Sequence, residues 1–493
     1  MADNSNASAD NISTKAGNTG ASAENASAVA GNAGASAENA SAVGGNAGAL
    51  VEKTSVVASN NSQSQTANQG AIYDARTLGI PRMGLLGLQH MFAMFGATVL
   101  VPLLTGLSVS TTLLFAGIGT LLFHCISKFK VPAFLGSSFA FLGGYAAVKQ
   151  MGVEQFGYSE TLSLDYACIG ICAATLVYFL VAGLIKTFGL SKVIRYFPPV
   201  VVGPMIISIG LCLSGSAITN CTQDWPIALV AILVVIMANI WGKGLIKIIP
   251  ILLGVIASYV VAALLGKIDF QAVSDAAWIG LPIARESTVL AVFDNPNYSL
   301  LLSSIVIIMP IAIATVMEHI GDISAISSTV GRDYLSDPGL HRTLTGDGLA
   351  TFVAALFGAP ANTTYGENTG VLNITRVFDP RVIRIAAVFA IVLAFCPKFA
   401  MLIQIMPAAT IGGISLILYG MIAAVGVRNM VENHVDLTLS RNMIIAALIL
   451  VLSIGVKYGA NDQVAFGPVC LSGLAIAAIV GIVLNAIFPN KSK

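Results

Sequence analysis

Charge is what this chain has least of. Asp, Glu, Lys and Arg together make up 10% of 493 residues, whereas a water-soluble domain carries roughly a quarter. A soluble globular fold is therefore excluded. The formal net charge of +1 gives no overall attraction to nucleic acid, and no nucleic-acid partner is expected. Also missing are a nucleotide-binding Gly loop, a nucleophile–base pair and a soluble catalytic domain, so nothing points to an enzyme. The seven cysteines (Cys125, Cys168, Cys172, Cys212, Cys221, Cys396 and Cys470) are scattered through apolar segments. They show neither metal-ligand spacing nor a disulfide framework, and no metal or cofactor is expected. Cys168 and Cys172 share a helix face but read as small packing residues, the usual fate of a free cysteine.

The first 70 residues contain no Phe, Trp or Tyr. They are rich in Ala, Ser, Asn and Gly and carry a 14-residue repeat, GNTGASAENASAVA (17–30) followed by GNAGASAENASAVG (31–44). Such a segment buries too little apolar area to offset its ordering entropy. Residues 1–75 are thus expected to be a disordered cytoplasmic tail. A basic start and a continuous apolar run are lacking, so a signal peptide is not expected. The transporter-like membrane domain is assigned to residues 76–493.

What is abundant is apolar: 56% of residues are hydrophobic. A membrane span needs about 20 apolar residues, and fourteen candidates occur in the sequence. They fall at 83–104, 110–127, 135–149, 166–187, 198–217, 225–242, 246–265, 299–327, 345–358, 365–377, 382–396, 400–424, 439–456 and 465–488. With both termini cytoplasmic, 18 Lys and Arg lie on the inner side and five outside (Lys149, Lys267, Arg285, Lys398 and Lys457). The positive-inside rule expects that asymmetry. The expected fold is an all-α polytopic membrane protein in the cytoplasmic membrane, with 14 transmembrane segments.

Seven segments plus seven imply an inverted repeat, about 83–265 and 299–488, because an odd number of spans turns the second half over. Two echoes support it. VPAFLGSSFAF (131–141) and APANTTYGENTG (359–370) both interrupt apolar sequence with Pro-Ala followed by small and polar residues. Counted from Pro132 and Pro360, Phe139 and Glu367 fall at the same offset. FPPVVVGPMIISIG (197–210) likewise echoes MPAATIGGISLILYG (406–420). Irregular main chain survives in a bilayer only where it lines a protein cavity, and a matched pair of broken segments points to a transporter's substrate site.

Glu367 sits in the second broken segment, where an ionisable group is costly and suggests function; otherwise it is a loop-end carboxylate at the surface. Glu318 has two readings. Either the helix ends there and the carboxylate is interfacial, or 298–331 forms one helix of about 50 Å at 1.5 Å per residue, with Glu318 near mid-depth. Glu318 and Asp322 are i and i+4, hence on one face. No Lys or Arg lies within reach on that helix, so the pair suits proton or cation coupling better than a salt bridge. Phe139, after Gly136-Ser137-Ser138, is either a core aromatic or the residue whose N–H opens a half-helix toward a ligand. Tyr365, Asn368 and Tyr419 are weaker candidates. His90 reads as a helix-packing residue that could join a relay.

On these residues the chain resembles the nucleobase/ascorbate transporter family (nucleobase:cation symporter-2), and within it the bacterial uracil permeases. Three stretches carry the likeness: LQHMFAMFGATVLVPLL (88–104), PAFLGSSFAF (132–141) and NTTYGENTGVLNITR (362–376). The last holds the family signature at Glu367-Asn368-Thr369-Gly370 and Thr375-Arg376. DPGLHR (337–342) and GGISLILYG (412–420) add to the match, which spans about 80–488. The resemblance implies core and gate domains, a homodimer in the bilayer, and short antiparallel strands in segments 3 and 10. It implies proton-coupled symport of uracil. Glu318 and Glu367 would accept from the ring N–H groups, and the N–H groups of Phe139 and Gly366 would donate to the carbonyls. Ser138, Tyr365 and Tyr419 would shape the site, and Glu318, Asp322 and His90 would handle protons. Asp322 departs from the uracil permeases, which carry His there, and matches other family members. The alternatives are a xanthine or other purine permease of the same family, or an anion transporter with the same fold.

Overall fold

A segment without water around it must satisfy its own N–H and C=O groups, which favours helices. The computed structural model describes residues 71–488 except 195–197, 461, 463 and 467–468. The expected tail therefore lies outside the described residues apart from its last five. Short turns aside, the helices and strands of the first half are α1 (Ile80–Thr105), α2 (Val109–Ile126), β1 (Leu135–Ser137), α3 (Leu142–Phe156), α4 (Glu160–Phe188), α5 (Pro199–Thr222), α6 (Trp225–Trp241) and α7 (Pro250–Leu264). The second half runs α8 (Tyr298–Ile308), α9 (Ile311–Val330), α10 (Leu340–Leu356), β2 (Asn362–Thr364), α11 (Gly366–Thr375), α12 (Pro380–Ala394), α13 (Pro397–Gln404), α14 (Ala408–Glu432), α15 (Ser440–Gly459), β3 (Val464–Phe466), β4 (Val469–Leu471) and α16 (Gly473–Ile487).

Among the described residues, seven helical runs are long and apolar enough to cross a membrane: α1, α2, α4, α5, Tyr298–Val330 taken together, α14 and α15. The helices α6, α7 and α16 are apolar but shorter. The protein is a polytopic, mostly helical membrane protein.

Proline marks the breaks. Lacking an N–H and clashing with the preceding turn, it starts helices more readily than it continues them. Pro310 caps α9 at the α8–α9 junction. Pro397 opens α13, which turns 86° from α12. That turn corrects the span expected at 400–424: residues 400–404 belong to α13, and the long helix begins at Ala408 after Pro407. The segment expected at 465–488 likewise begins with the antiparallel strands β3 and β4, and its helix starts at Gly473.

Two apolar clusters organise the interior. One gathers Phe123, Tyr145, Ile171, Tyr178 and Leu344 from α2, α3, α4 and α10. The other gathers Met94, Leu113, Ile383 and Ala387 from α1, α2 and α12. The strand pair joins them, with Leu135 in the first and Phe134 and Tyr365 in the second.

The segment before α1 is fastened to the body. Ile72 N–H donates to Arg376 O at 2.9 Å, and Phe378 N–H donates to Ile72 O at 2.8 Å. Tyr73 OH donates to Val330 O at 2.8 Å while the Arg332 guanidinium lies 4.4 Å over its ring. Ala75 N–H donates to the buried Asp379 at 2.7 Å. The strap thus holds the ends of both α9 and α11.

Candidate functional site

The site is built on two three-residue strands. β1 and β2 pair antiparallel in the register Leu135↔Thr364, Gly136↔Thr363 and Ser137↔Asn362. One further bond extends the ladder at each end, Ser138 N–H to Ala361 O at 2.8 Å and Tyr365 N–H to Phe134 O at 3.0 Å. So short a pair inside a membrane body leaves backbone groups that must find partners, and neighbouring side chains supply them. Thr120 Oγ1 accepts from Leu135 N–H at 2.9 Å, and Thr351 Oγ1 donates to Asn362 O at 2.9 Å. Tyr145 OH accepts from Ala361 N–H at 3.2 Å, and His124 Nε2 lies 2.9 Å from Ala133 O. Asn362 Nδ2 in turn donates to Phe115 O at 3.0 Å.

Gly136 is required by close approach. A Cβ there would sit 2.5 Å from two ring carbons of Tyr365. The Tyr365 ring therefore lies across the first strand, and its hydroxyl donates to Ser137 O at 2.9 Å. Ser137 Oγ donates to Thr98 O at 3.1 Å, tying the strands to α1. Ser138 is buried, and its Oγ has no hydrogen-bond partner among the described residues. Phe139 is half-buried and packs against both apolar clusters.

The second strand leads directly into α11, whose cap is Tyr365 and whose first turn carries Glu367. The first N–H groups of a helix have no intrahelical acceptor and form its positive end. Gly366 and Glu367 are both accessible, whereas Asn368 is buried. Across from them runs α9, in which Glu318 and Asp322 are half-buried. The helix continues for twelve residues beyond Glu318, so the reading in which it ends there is excluded; the single helix expected over 298–331 is instead interrupted at Met309–Pro310, between α8 and α9. Thr364 Oγ1 donates to Asp322 at 2.7 Å, and a Cβ on Gly366 would lie 3.8 Å from Asp322 Oδ1. Glu318 is within electrostatic range of Asp322, Asp347 and Glu367.

The fold thus brings together Glu318, Asp322, Gly366 and Glu367 around Thr364, with Ser138, Phe139 and Tyr365 along the strand pair. His90 is buried in α1 and accepts from Asn368 Nδ2 at 3.2 Å through both Nδ1 and its backbone O. It joins α1 to α11. Tyr419 is buried in α14 where that helix meets α5. Sequence reasoning missed one pair: His319 Nδ1 and Asp347 Oδ2 are 3.1 Å apart and completely buried, with Thr364 Oγ1 3.5 Å from the same His nitrogen. The available signal was an Asp inside the apolar run 345–358, which deserved the same suspicion as Glu318. No cluster of three or more His, Cys, Asp or Glu residues able to hold a metal occurs among the described residues.

Comparison with known proteins adds four matches. The model of a permease family, Xan_ur_permease, matches residues 82–461. A probable uracil permease of Haemophilus influenzae is 41% identical over 421 residues, covering 84% of this chain and 95% of that protein. The uracil permease of Bacillus subtilis is also 41% identical, covering 82% of this chain and 92% of its own length. Among solved structures, the transmembrane domain of a cyanobacterial bicarbonate transporter superposes with a TM-score of 0.56 at 16% identity. That match covers 84% of this chain and 99% of the other, a likeness of fold alone.

Proposed function

The chain belongs to this permease family, the nucleobase/ascorbate transporters, and from that premise we propose that it takes up uracil by proton symport across the cytoplasmic membrane. The observation that carries the substrate reading is the placement of Glu367 on the first turn of α11, beside Thr364, Asp322 and Glu318 of the facing helix. Uracil is a small neutral plane with two ring N–H donors and two carbonyl acceptors. Glu318 and Glu367 accept from the N–H groups, and the N–H groups of Gly366 and Phe139 donate to the carbonyls. Ser138 borders the site, and the Tyr365 ring holds the first strand in place. Tyr419 completes the wall from α14. A site whose acids and N–H groups all pair with the bound base strongly rejects analogues that leave one of those groups unpaired.

Fourteen segments in two inverted halves, 83–265 and 299–488, fit the order of elements. The broken strand–helix units, β1–α3 and β2–α11, are third in each half, and the echoing helices α5 and α14 are fifth. Each pairs with its counterpart: β1 with β2, and α5 with α14. A Cβ on Gly210 would lie 2.4 Å from Tyr419 O, and one on Gly426 would lie 2.6 Å from Gly203 O. Close contact through small residues is how helices associate where lipid offers no hydrophobic drive. Cytoplasmic termini follow from the Lys and Arg distribution, and a homodimer from family resemblance. Protons couple through Glu318 with Asp322 beside it, His90 holding α11 against α1. An anion substrate is disfavoured because Glu367 occupies the half-helix start where an anion would need a cation.

Radiolabelled uracil uptake in expressing cells, competed with xanthine, thymine and sulfate, tests the substrate. Uracil accumulation that sulfate leaves untouched is expected. Accumulation of xanthine without uracil would overturn the assignment in favour of a purine permease.

A further inference from the structure

A second polar feature lies where the ends of α2, α4 and α10 meet. A cleft of about 430 Å³ opens between the last turns of α2 and α4 and the first turn of α10. Its apolar wall is Ile126, Phe179 and Ala182; its polar edge is Lys186, His341 and Arg342. Thr351, the α10 residue that bonds β2, is roughly 13 Å along the helix from Arg342 at 1.5 Å per residue, so the cleft is separate from the substrate site. Lys128 also bears on the His341 ring, together with Arg342 and Lys186.

Neither Lys186, Arg342 nor Lys128 has an ion-pair partner among the described residues. Asp337, whose carboxylate also feels Lys128, is paired with Lys130. Gathering like charges without a counterion is unfavourable unless an anion supplies the balance. Here the charged edge adjoins an apolar wall at a helix end, the level at which lipid headgroups meet a membrane protein. Basic pockets between transmembrane helices on the cytoplasmic side are suited to anionic headgroups.

We propose that this cleft binds an anionic phospholipid, its phosphate held between Lys186 and Arg342 and an acyl chain laid against Phe179 and Ile126. His341 offers a ring nitrogen to the headgroup, and Lys128 extends the field. The apolar wall separates this ligand from a free phosphate, which would gain nothing from Phe179. The site uses no substrate-binding residue, so it stands or falls independently of the uracil assignment; only the choice of the inner leaflet rests on the proposed orientation.

The test uses the full chain in mild detergent, with phosphatidylglycerol, phosphatidylcholine or inorganic phosphate added in turn. Retained lipid is read by native mass spectrometry and stability by thermal unfolding. Phosphatidylglycerol is expected to stay bound and raise the unfolding midpoint, while the other two do neither. The double variant Lys186→Gln/Arg342→Gln should weaken phosphatidylglycerol retention by roughly thirtyfold, the size set by two interfacial basic residues. Lys186→Arg/Arg342→Lys should restore it. Equal retention of phosphatidylcholine by the unmodified protein would overturn the proposal, as would equal stabilisation by inorganic phosphate or undiminished retention in the Gln variant. The first two comparisons need no variant to fold.

Discussion

The two broken segments occupy equivalent places in the chain but are chemically unlike. The first, Gly136-Ser137-Ser138-Phe139, has no ionisable group and is buried except at Phe139. The second, Tyr365-Gly366-Glu367-Asn368, carries a carboxylate on an accessible first turn and is lined by the acids of α9. The strands that lead into them, Leu135–Ser137 and Asn362–Thr364, pair with each other residue for residue, so the two arms share one frame while their chemistry differs. A planar substrate with donors and acceptors on different edges needs that division. In the proposed site one arm offers backbone N–H groups and an aromatic surface, and the other adds charged acceptors. Duplication can supply the shared frame, and substitution at a few positions then makes the arms complementary.

The largest expected effect comes from removing what only the second arm has. Glu367→Gln should lower uracil uptake roughly 10- to 100-fold, the range for losing a hydrogen bond to a charged group. Phe139→Leu, at the matching position of the first arm, should cost far less, because the main-chain N–H remains. Equal losses from the two variants, measured as initial uptake rates per folded protein, would erase the proposed asymmetry.

The next effect concerns the frame itself. Gly136→Ala forces a methyl group into the Tyr365 ring and should destabilise the protein by about 1–3 kcal/mol through overpacking. Thr363, directly opposite in the ladder, has a hydroxyl with no partner among the described residues. Thr363→Ala removes that unpaired buried hydroxyl, a gain, together with one buried methyl group, a loss, so it should cost less than Gly136→Ala, at most about 1 kcal/mol. Thermal unfolding in detergent separates the two; an unchanged midpoint for Gly136→Ala would mean that ring and strand part freely.

The smallest effect is expected from the tail. Deleting residues 2–70 should leave uptake within about twofold, on the order of 0.4 kcal/mol. Deleting residues 2–79 also removes the strap and should reduce the yield of folded protein. Within the strap, hydrogen bonds from Arg76 hold the Asp74 carboxyl down to about 2 from its ordinary 3.8, with Arg381 adding to the effect. A depressed carboxylate contributes fully above its unfolded value and loses that contribution as pH falls toward the folded one. Strap attachment should consequently be constant from pH 5 to pH 8 and loosen only below about pH 4. A difference between the two deletions that changed between pH 5 and pH 8 would contradict this.

Much of this arrangement was legible in sequence because a bilayer permits few backbone solutions. Long apolar runs became α1, α2, α4 and α5 with shifts of a few residues. The Pro-Ala pairs marked the two broken segments, and Glu318 and Glu367 stood out as acids where water is scarce. What escaped depends on contacts between distant parts of the chain. Whether α9 continued past Glu318 turned on packing against α4 and α11, not on composition. The α13 turn and the β3 and β4 strands are made of residues apolar enough to pass for spans. The His319–Asp347 pair joins two helices whose relative rotation no one-dimensional pattern records, and the strap rests on a few bonds between Ile72, Tyr73 and Ala75 and residues some 250 to 300 positions away.

Coupling is the central claim, and it places two acids on one face of α9 beside a third on α11. The most direct measurement is uracil accumulation in proteoliposomes with an imposed pH gradient, acidic outside, and no sodium. The unmodified protein should concentrate uracil while the gradient lasts and release it when a protonophore collapses the gradient. Glu318→Gln, fixed in the neutral form, should bind uracil and exchange it across the bilayer yet fail to concentrate it, and Asp322→Asn should be impaired less. Accumulation that ignores the pH gradient and follows sodium instead would contradict proton coupling through Glu318.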